Sequence, residues 1–588
     1  MGATNASAET EARSILERAA ESSFPPLHAV HSLLSVGVQL LLPAHFPTVP
    51  PIHLEKDDEH CVVLQVCVRC IMRLFGANSS SCSCSSLTAS VLHSFLEEHD
   101  DSIKGGSCQC LSMNDAYCSV CLGVLLPAFH QGEGFENPIG ASHIDNISSM
   151  ISQAVQREGY QIDEFSLEIS LPPVIVANER AVRLYMKQKY VNENWFKDKI
   201  FPQQTMSVKE TLRILIAPSL EKQMNAKHGN GNSSFRIRLT YTHDDASQKL
   251  HSLLPNDNGR KRKTDSRNGS DTSNEAHKRN SADGNNKQTS ESDSFIYKTL
   301  EGIQDQEFCN LIQLPPEKVS KPCHLVVSCA RSPIYIGGRY LKLSRNVSQS
   351  CWIIDDERMG EASVEEIIGE NVRAICRCDS LKFHAAGRED IDVRMLGSGR
   401  PFLVEVLNVR SMPSEIEVQQ IEERINNSEK KYVRVRNLNM VGNEIWTMMR
   451  EGEAEKQIAL LNTKASITLY LQKQYAALIW TSRELMDNDL HSISVTKDME
   501  IEQKTPIRVL HRRSPLERKR IIHWMEIEKV AGSSNYYLLH LCTQAGTYIK
   551  EFVHGDLGRT HPSIGAILGC RAEILRLDVT DVKMDFLQ

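Results

Sequence analysis

The stretch Ala385-Ala-Gly-Arg-Glu-Asp-Ile-Asp-Val-Arg-Met-Leu-Gly-Ser-Gly-Arg400, running into Pro401-Phe-Leu-Val-Glu-Val-Leu-Asn-Val409, sets charged side chains between glycines ahead of an apolar strand pattern. Glycine punctuation before a β-rich run places the acids on a loop that enters a strand. Taken alone, such a loop reads as a solvated turn, a Mg²⁺ ligand or the seat of a reactive carboxylate, and residues elsewhere must decide among these.

Around this loop, residues 295–588 hold further short β-rich runs, among them HLVVSCA, SPIYIGGRY, YYLLHLCT and AEILRLDV, separated by helical patterns such as SVEEIIGENV. No βαβ rhythm repeats, so the expected class is α+β, with a mixed, mainly antiparallel sheet, rather than doubly wound. Upstream, DNISSMISQAVQREGY reads as a helix, FSLEIS as a strand, the segment from near Asn178 as an amphipathic helix and FRIRLTYTH as a strand, a mixed α/β region over 141–254. Residues 255–293 are almost devoid of apolar side chains and cannot offset the ordering entropy, which predicts a disordered basic and polar insertion. Within it Arg260, Lys261, Arg262 and Lys263 form a basic tetrad, either a nuclear localisation signal or a solvated charge run. The expected division is therefore 1–140, 141–254, 255–293 and 294–588.

With 588 residues, two to four domains are expected. Hydrophobic residues at 41% and charged residues at 24% fit a soluble globular chain with enough apolar material for several cores. A net charge of −7 argues against a surface basic throughout, but it does not exclude nucleic acid, which needs only a local basic face. The opening MGATNASAETEARS has neither a basic n-region nor an apolar h-region, and Ala6 breaks the myristoylation pattern, so an intracellular protein, nuclear or cytoplasmic, is expected. Leu27–Phe46, the most apolar stretch, carries His28, His31, Ser32 and Ser35 at a spacing that suits an amphipathic helix better than a membrane span.

Nine of the 17 cysteines fall between Cys61 and Cys121, partly in the loop-like run SSSCSCSS. Two CxxC pairs, Cys67/Cys70 and Cys118/Cys121, can supply four thiolates to one tetrahedral structural zinc. The 47 residues between Cys70 and Cys118 exceed an ordinary zinc-finger gap, so this site would tie together distant segments. A rival reading joins His53-Leu54-Glu55 to Cys67 and Cys70 as a zinc nucleobase deaminase. It lacks the proline expected before the first cysteine, where Val66 stands, and leaves the second CxxC unexplained.

Gly387-Arg388-Glu389-Asp390 resembles the GRxD motif of pseudouridine synthases, Gly546-Thr-Tyr-Ile-Lys550 their GTYIR motif, and Lys473-Gln474-Tyr475 followed by AALIW their tyrosine-bearing motif, in the superfamily's order. Together with KTPIRVLHRR, SPIYIGGRYLKLSRN and the two CxxC pairs, the chain resembles the Pus-ten family of tRNA pseudouridine synthases over Phe295–Gln588, and less closely upstream. That resemblance implies a pseudouridine synthase catalytic domain behind an N-terminal zinc-bearing, THUMP-like accessory region. It also implies an isomerase with no catalytic cofactor that acts on tRNA, in the T loop at positions 54 or 55.

Carried over residue by residue, the resemblance makes Asp390 the carboxylate that attacks C1′ or takes the 2′ proton. It makes Tyr475 the aromatic against which a flipped base stacks, and Tyr548 a wall of the uracil pocket. Lys550 stands where relatives have arginine; it could pair with Asp390, but without arginine's bidentate fork. Arg388 is expected to position the loop or the RNA backbone. Between Ile501 and Ile522 seven Lys/Arg face two glutamates, a local +5 that suits a phosphate-contacting surface. Other structured RNA is a further candidate partner, no membrane partner is expected, and the expected state is a monomer. A non-catalytic RNA-binding adaptor on the same fold is the alternative from another class.

Overall fold

The structure, a computed structural model, describes residues 10–11, 13–17, 66–74, 76, 117–125, 143–192, 205–229, 231, 233–254, 283–317, 319–442, 444–445, 472–511 and 513–583. Leu27–Phe46, His53, Glu55, the Ser/Cys run, the tetrad Arg260–Lys263 and Arg512 lie outside these residues. The chain divides into two compact units, Met1–Glu158 with Ile162–Ala330, and Gly159–Gln161 with Arg331–Gln588.

In the first unit, β1 (Glu164–Ser170), β2 (Lys227–His228), β3 (Phe235–Thr242) and β4 (His324–Arg331) form a sheet in the order β2-β1-β3-β4. β1 runs parallel to both of its neighbours. Strict alternation in β3 buries Phe235, Ile237, Leu239 and Tyr241. The helix expected near Asn178 starts earlier, at Val174 behind Pro173, because proline pre-sets the first helical turn and Val174, Ile175 and Ala177 are buried as its inner face. Two further sequence expectations give way here. HLVVSCA is the edge strand of this sheet rather than part of the C-terminal block, so the C-terminal unit begins at Arg331 and not at 294. The polar segment 255–293 also does not stay irregular to its end. The chain is helical from Asp283 to Gly302, and the helix is anchored by buried Ile296 and Leu300. Arg180 adds hydrogen bonds to the Leu300 and Ile303 carbonyls at 2.8 and 2.6 Å.

The second unit is built on a ten-stranded sheet in the order β12-β5-β11-β18-β13-β16-β15-β14-β17, with β10 also on β11. The strands are β5 (Ile334–Lys342), β10 (Ser380–Ala385), β11 (Arg394–Leu407), β12 (Val433–Val441), β13 (Gln472–Thr481), β14 (Lys497–Lys504), β15 (Glu517–Lys529), β16 (Tyr536–Gln544), β17 (Thr560–His561) and β18 (Ala572–Lys583). Short strands β6 (Val347–Ser348) and β9 (Ala362–Ser363) pair with each other, as do β7 (Ile353–Ile354) and β8 (Glu357–Arg358). Among the described pairings of the large sheet the neighbours are antiparallel except β11 and β18, which run parallel at Arg394/Asp578 and Met395/Val579. The fold is thus α+β with mixed sheets, as the absence of a βαβ rhythm indicated.

Helices Val364–Cys376 and Glu415–Asn426 pack on this sheet, and each opens with a capping box, Ser363/Glu366 and Ser414/Glu417. Their Ile368, Val372, Ile421 and Ile425 meet Phe402, Val404 and Val435 in one core. The acidic loop 386–393 connects β10 to β11, so it emerges where β11 meets β18 at the middle of the sheet. No helix among the described residues is long and apolar enough to cross a membrane.

Candidate active site

The backbone of the acidic loop is fixed before its side chains are considered. Gly387 has φ +98°, a conformation that strains other residues, and a Cβ there would lie 2.6 Å from Lys473 Nζ and 2.9 Å from Arg400 Nη1, so a substitution would also have to push those side-chain ends aside. Glu389 turns inward: its side chain is 0% exposed and pairs with Arg400, itself 1% exposed, at 2.8 Å, and Tyr340 Oη donates to it at 2.9 Å. Gln349 donates to the Gly387 carbonyl at 2.9 Å and to Tyr340 Oη at 2.8 Å, while Arg400 Nη1 donates to the Ala386 carbonyl at 2.9 Å. The fully buried Lys342 ammonium donates to the carbonyls of Val347, Asp390 and Ile391 at 2.7, 3.1 and 2.8 Å. Burial draws its pKa down to about 8, against the pull of Glu389, Asp392 and Asp390.

The Glu389/Arg400 pair is a sharp stability test. Arg400→Met should leave the Glu389 carboxylate buried and unpaired, at a cost of about 3–5 kcal/mol. A fall in melting temperature on the order of 10 °C should follow in thermal unfolding of the full chain. A melting temperature equal to the parent's would show that the pair carries no stability.

With Glu389 turned inward, Asp390 faces the other way. Its side chain is 34% exposed, and its Oδ2 takes a hydrogen bond from Arg508 Nη1 at 2.9 Å and lies 3.5 Å from Lys550 Nζ. Asp390 Oδ1 accepts no hydrogen bond among the described residues. The Lys550 ammonium binds Asp392 at 2.8 and 3.0 Å and reaches Asp390 second. Burial would raise the Asp392 carboxyl, but the Lys550 hydrogen bond overrides it and holds that carboxyl below the usual range. Arg508 was counted with the phosphate-contacting surface, yet its Nε also binds buried Glu551 Oε1 at 2.7 Å. Neither Arg508 nor Glu551 lies in a motif that flags a carboxylate partner.

Tyr475 sits on β13 opposite Val579 of β18, the residue that also faces Met395 of β11, which places it in the sheet directly behind the loop. It is buried, and burial pushes its hydroxyl up to about 12, so it stays protonated. Tyr548 is half-buried at the head of helix Ile549–His554; its N–H donates to Gln503 Oε1 at 2.9 Å and its carbonyl accepts from Gln503 Nε2 at 3.0 Å. The same helix carries Lys550 and Glu551 to the cluster. Arg388 is exposed and makes no hydrogen bond or ion pair among the described residues. Of the basic run, Lys519 binds Glu500 at 2.8 Å and Arg508 binds Asp390 and Glu551, acids outside the counted segment, so its net positive surface is smaller than the count suggested.

In the first unit the sulfurs of Cys67, Cys70, Cys118 and Cys121 lie within 4.8 Å of one another, with Cys67 and Cys121 at 3.9 Å. A tetrahedron of zinc–sulfur bonds of about 2.3 Å has edges of roughly 3.8 Å, so the set fits a structural zinc. Burial pushes the Cys70 thiol well above its ordinary range, a penalty that a central divalent cation would cancel. The Cys67 N–H points at Cys118 Sγ at 3.3 Å and Arg73 Nη2 at Cys70 Sγ at 3.9 Å, the kind of outer hydrogen bonding that metal thiolates use.

Comparison with known proteins defines the class. Residues 335–583 match the family model "Pus10, C-terminal" and residues 118–329 "Eukaryotic Pus10, N-terminal". The human protein called tRNA pseudouridine synthase Pus10 is 32% identical over 485 residues, 82% of this chain and 81% of its own length. Its namesake in Xenopus laevis is 35% identical over 80% of each chain, and that of Thermofilum pendens is 37% identical over 43% of this chain and 53% of its own. The molecule is a pseudouridine synthase, an isomerase that exchanges the N-glycosidic bond of uridine for a carbon–carbon bond. Within that class the chain belongs to the Pus10 family.

Proposed function

We propose that the chain isomerises uridine in tRNA, at the T loop, with the Asp390 carboxylate acting on the ribose of a flipped nucleotide. The observation that carries this reading is the asymmetry at Asp390: Arg508 hydrogen-bonds Oδ2, among the described residues no hydrogen bond is made to Oδ1, and Oδ1 is left to meet the sugar. Isomerisation detaches uracil at N1, turns it and rejoins it at carbon five, with no change in composition and so no redox or group-carrying cofactor. Whether Oδ1 attacks C1′ or takes the 2′ proton, it needs its partner oxygen held and its own lone pairs free. Tyr475 supplies the apolar ring behind the pocket and Tyr548 a side wall. Arg388 reaches from the loop towards the RNA backbone.

The sheet β1–β4 with its helices serves as a THUMP-like accessory region for RNA, and the four cysteines hold a structural zinc. Four cysteine sulfurs around one point leave no open coordination position for a water, which weighs against the deaminase reading. The intact, cation-held Asp390 weighs against a purely adaptor role.

The full chain incubated with an unmodified tRNA transcript, followed by carbodiimide mapping, should yield label at a T-loop uridine. Label confined to other regions would overturn the T-loop assignment, and none on any transcript would overturn the tRNA substrate.

A further inference from the structure

We propose that Arg508 is a positioning residue for the isomerisation, fixing the Asp390 carboxylate against the buried Glu551 instead of contacting RNA phosphate. This rests on the reading of Asp390 as the acting carboxylate. The two hydrogen bonds leave from different nitrogens of one planar group, Nη1 to Asp390 Oδ2 at 2.9 Å and Nε to Glu551 Oε1 at 2.7 Å. A guanidinium cannot bend between these atoms, so the direction of the first bond is set by the second.

The anchor is itself buried. The Glu551 side chain is 2% exposed, on a helix whose Ile549, Phe552 and Val553 are all buried. Arg508 stands in the short turn Ile507–Val509, where the Ile507 N–H meets Asp556 Oδ2 at 3.3 Å, the Val509 N–H meets the Pro506 carbonyl at 3.1 Å and Val509 is buried.

The alternative cation does not supply this restraint. Lys550 gives its short contacts to Asp392 and stands 3.5 Å from Asp390, and an ammonium on a flexible stem sets no plane. With Nε and Nη1 committed to the two carboxylates, a phosphate drawn to Arg508 is left the Nη2 end or must displace a carboxylate, and losing the buried one would leave it uncompensated. The site therefore spends Arg508 on orientation: Oδ2 is held and Oδ1 is aimed.

The test uses the full chain with tRNA transcript tritiated at carbon five of uridine, reading single-turnover tritium release at saturating enzyme, and RNA binding as a function of salt. For Arg508→Ala the saturated rate should fall roughly 10- to 100-fold, the loss of one charge-assisted hydrogen bond, while affinity and salt slope stay within about twofold of the parent. Arg508→Lys should recover part of the rate, since an ammonium can satisfy Asp390 or Glu551 but not both in register. An unchanged saturated rate with weaker binding and a salt slope reduced by about one would overturn the proposal and make Arg508 a phosphate contact. Should Arg508→Ala fail to fold because Glu551 is stranded, Arg508→Leu combined with Glu551→Gln removes that charge, and a parental saturated rate in it would equally overturn the proposal. Asp390→Asn is run in parallel. If it turns over, the reading of Asp390 fails; if it is inactive while Arg508→Ala keeps the parental rate, only the role of Arg508 fails.

Discussion

Asp390→Asn should lower the single-turnover rate by at least about a thousandfold while folding and RNA binding remain close to parental, because it removes the reacting oxygen's charge and little else. The loop's shape does not depend on that charge. Lys342 holds the Asp390 and Ile391 carbonyls, Gln349 the Gly387 carbonyl and Arg345 the Asp392 carbonyl at 2.8 Å. The two cations near Asp390 keep other partners when it is neutral, Arg508 with Glu551 and Lys550 with Asp392. No buried charge is stranded, so the usual route to large destabilisation is closed. Tritium release and carbodiimide mapping measure the effect, with melting temperature and RNA affinity as controls. A rate within tenfold of the parent, in a variant that binds tRNA normally, would rule out Asp390 as the acting carboxylate.

Neighbouring residues differ in how far the sequence reveals their roles. The glycine-bounded acidic loop was legible because a glycine before a tight acidic turn is a local property, encoded within a few residues, whereas the choice of Asp390 within it came from the resemblance and not from the loop alone. Glu389 lies next to Asp390, yet nothing local says that it turns inward; that depends on Arg400, Tyr340 and Gln349, which the sheet brings in. The two carboxylate partners of Arg508 are hidden for the same reason. Among several basic residues in one run it looks like its neighbours, and only the packing of its turn near helix Ile549–His554 gives it two carboxylates. Long-range pairing also explains the strand HLVVSCA. Its residue types specify a strand, whereas its membership of the β1–β4 sheet is decided by its pairing beside β3. The α+β class needed less, since the spacing of β-rich runs and helices is itself a sequence property.

Replacing Cys118 and Cys121 together by serine should remove zinc from the purified chain and lower the melting temperature of its N-terminal unit by more than about 10 °C. The expectation follows from how little else could order this corner. Cys67 immediately precedes and Cys70 lies within the seven-residue helix Val68–Leu74, and Cys118 leads into the turn that carries Cys121, elements too short to persist without tertiary support. The helix does bury Val68, Ile71, Met72 and Leu74, so hydrophobic packing contributes. It also carries Arg69 and Arg73 fully inside, however. Arg73 binds Glu179 at 2.8 Å and the Met206 carbonyl at 2.9 Å, and Arg69 reaches the Leu125 carbonyl at 3.4 Å. Such interior cations are tolerated only while their partners stay in place. A cross-link closing the 47 residues between Cys70 and Cys118 would keep them there by restricting the unfolded chain. Elemental analysis should find about one zinc per chain in the parent and none in the double variant, and a strong chelator should bring the parent's melting curve towards the variant's. Zinc retained at one per chain after both substitutions would reject the four-cysteine site, and a parental melting curve in the metal-free variant would reject its structural role.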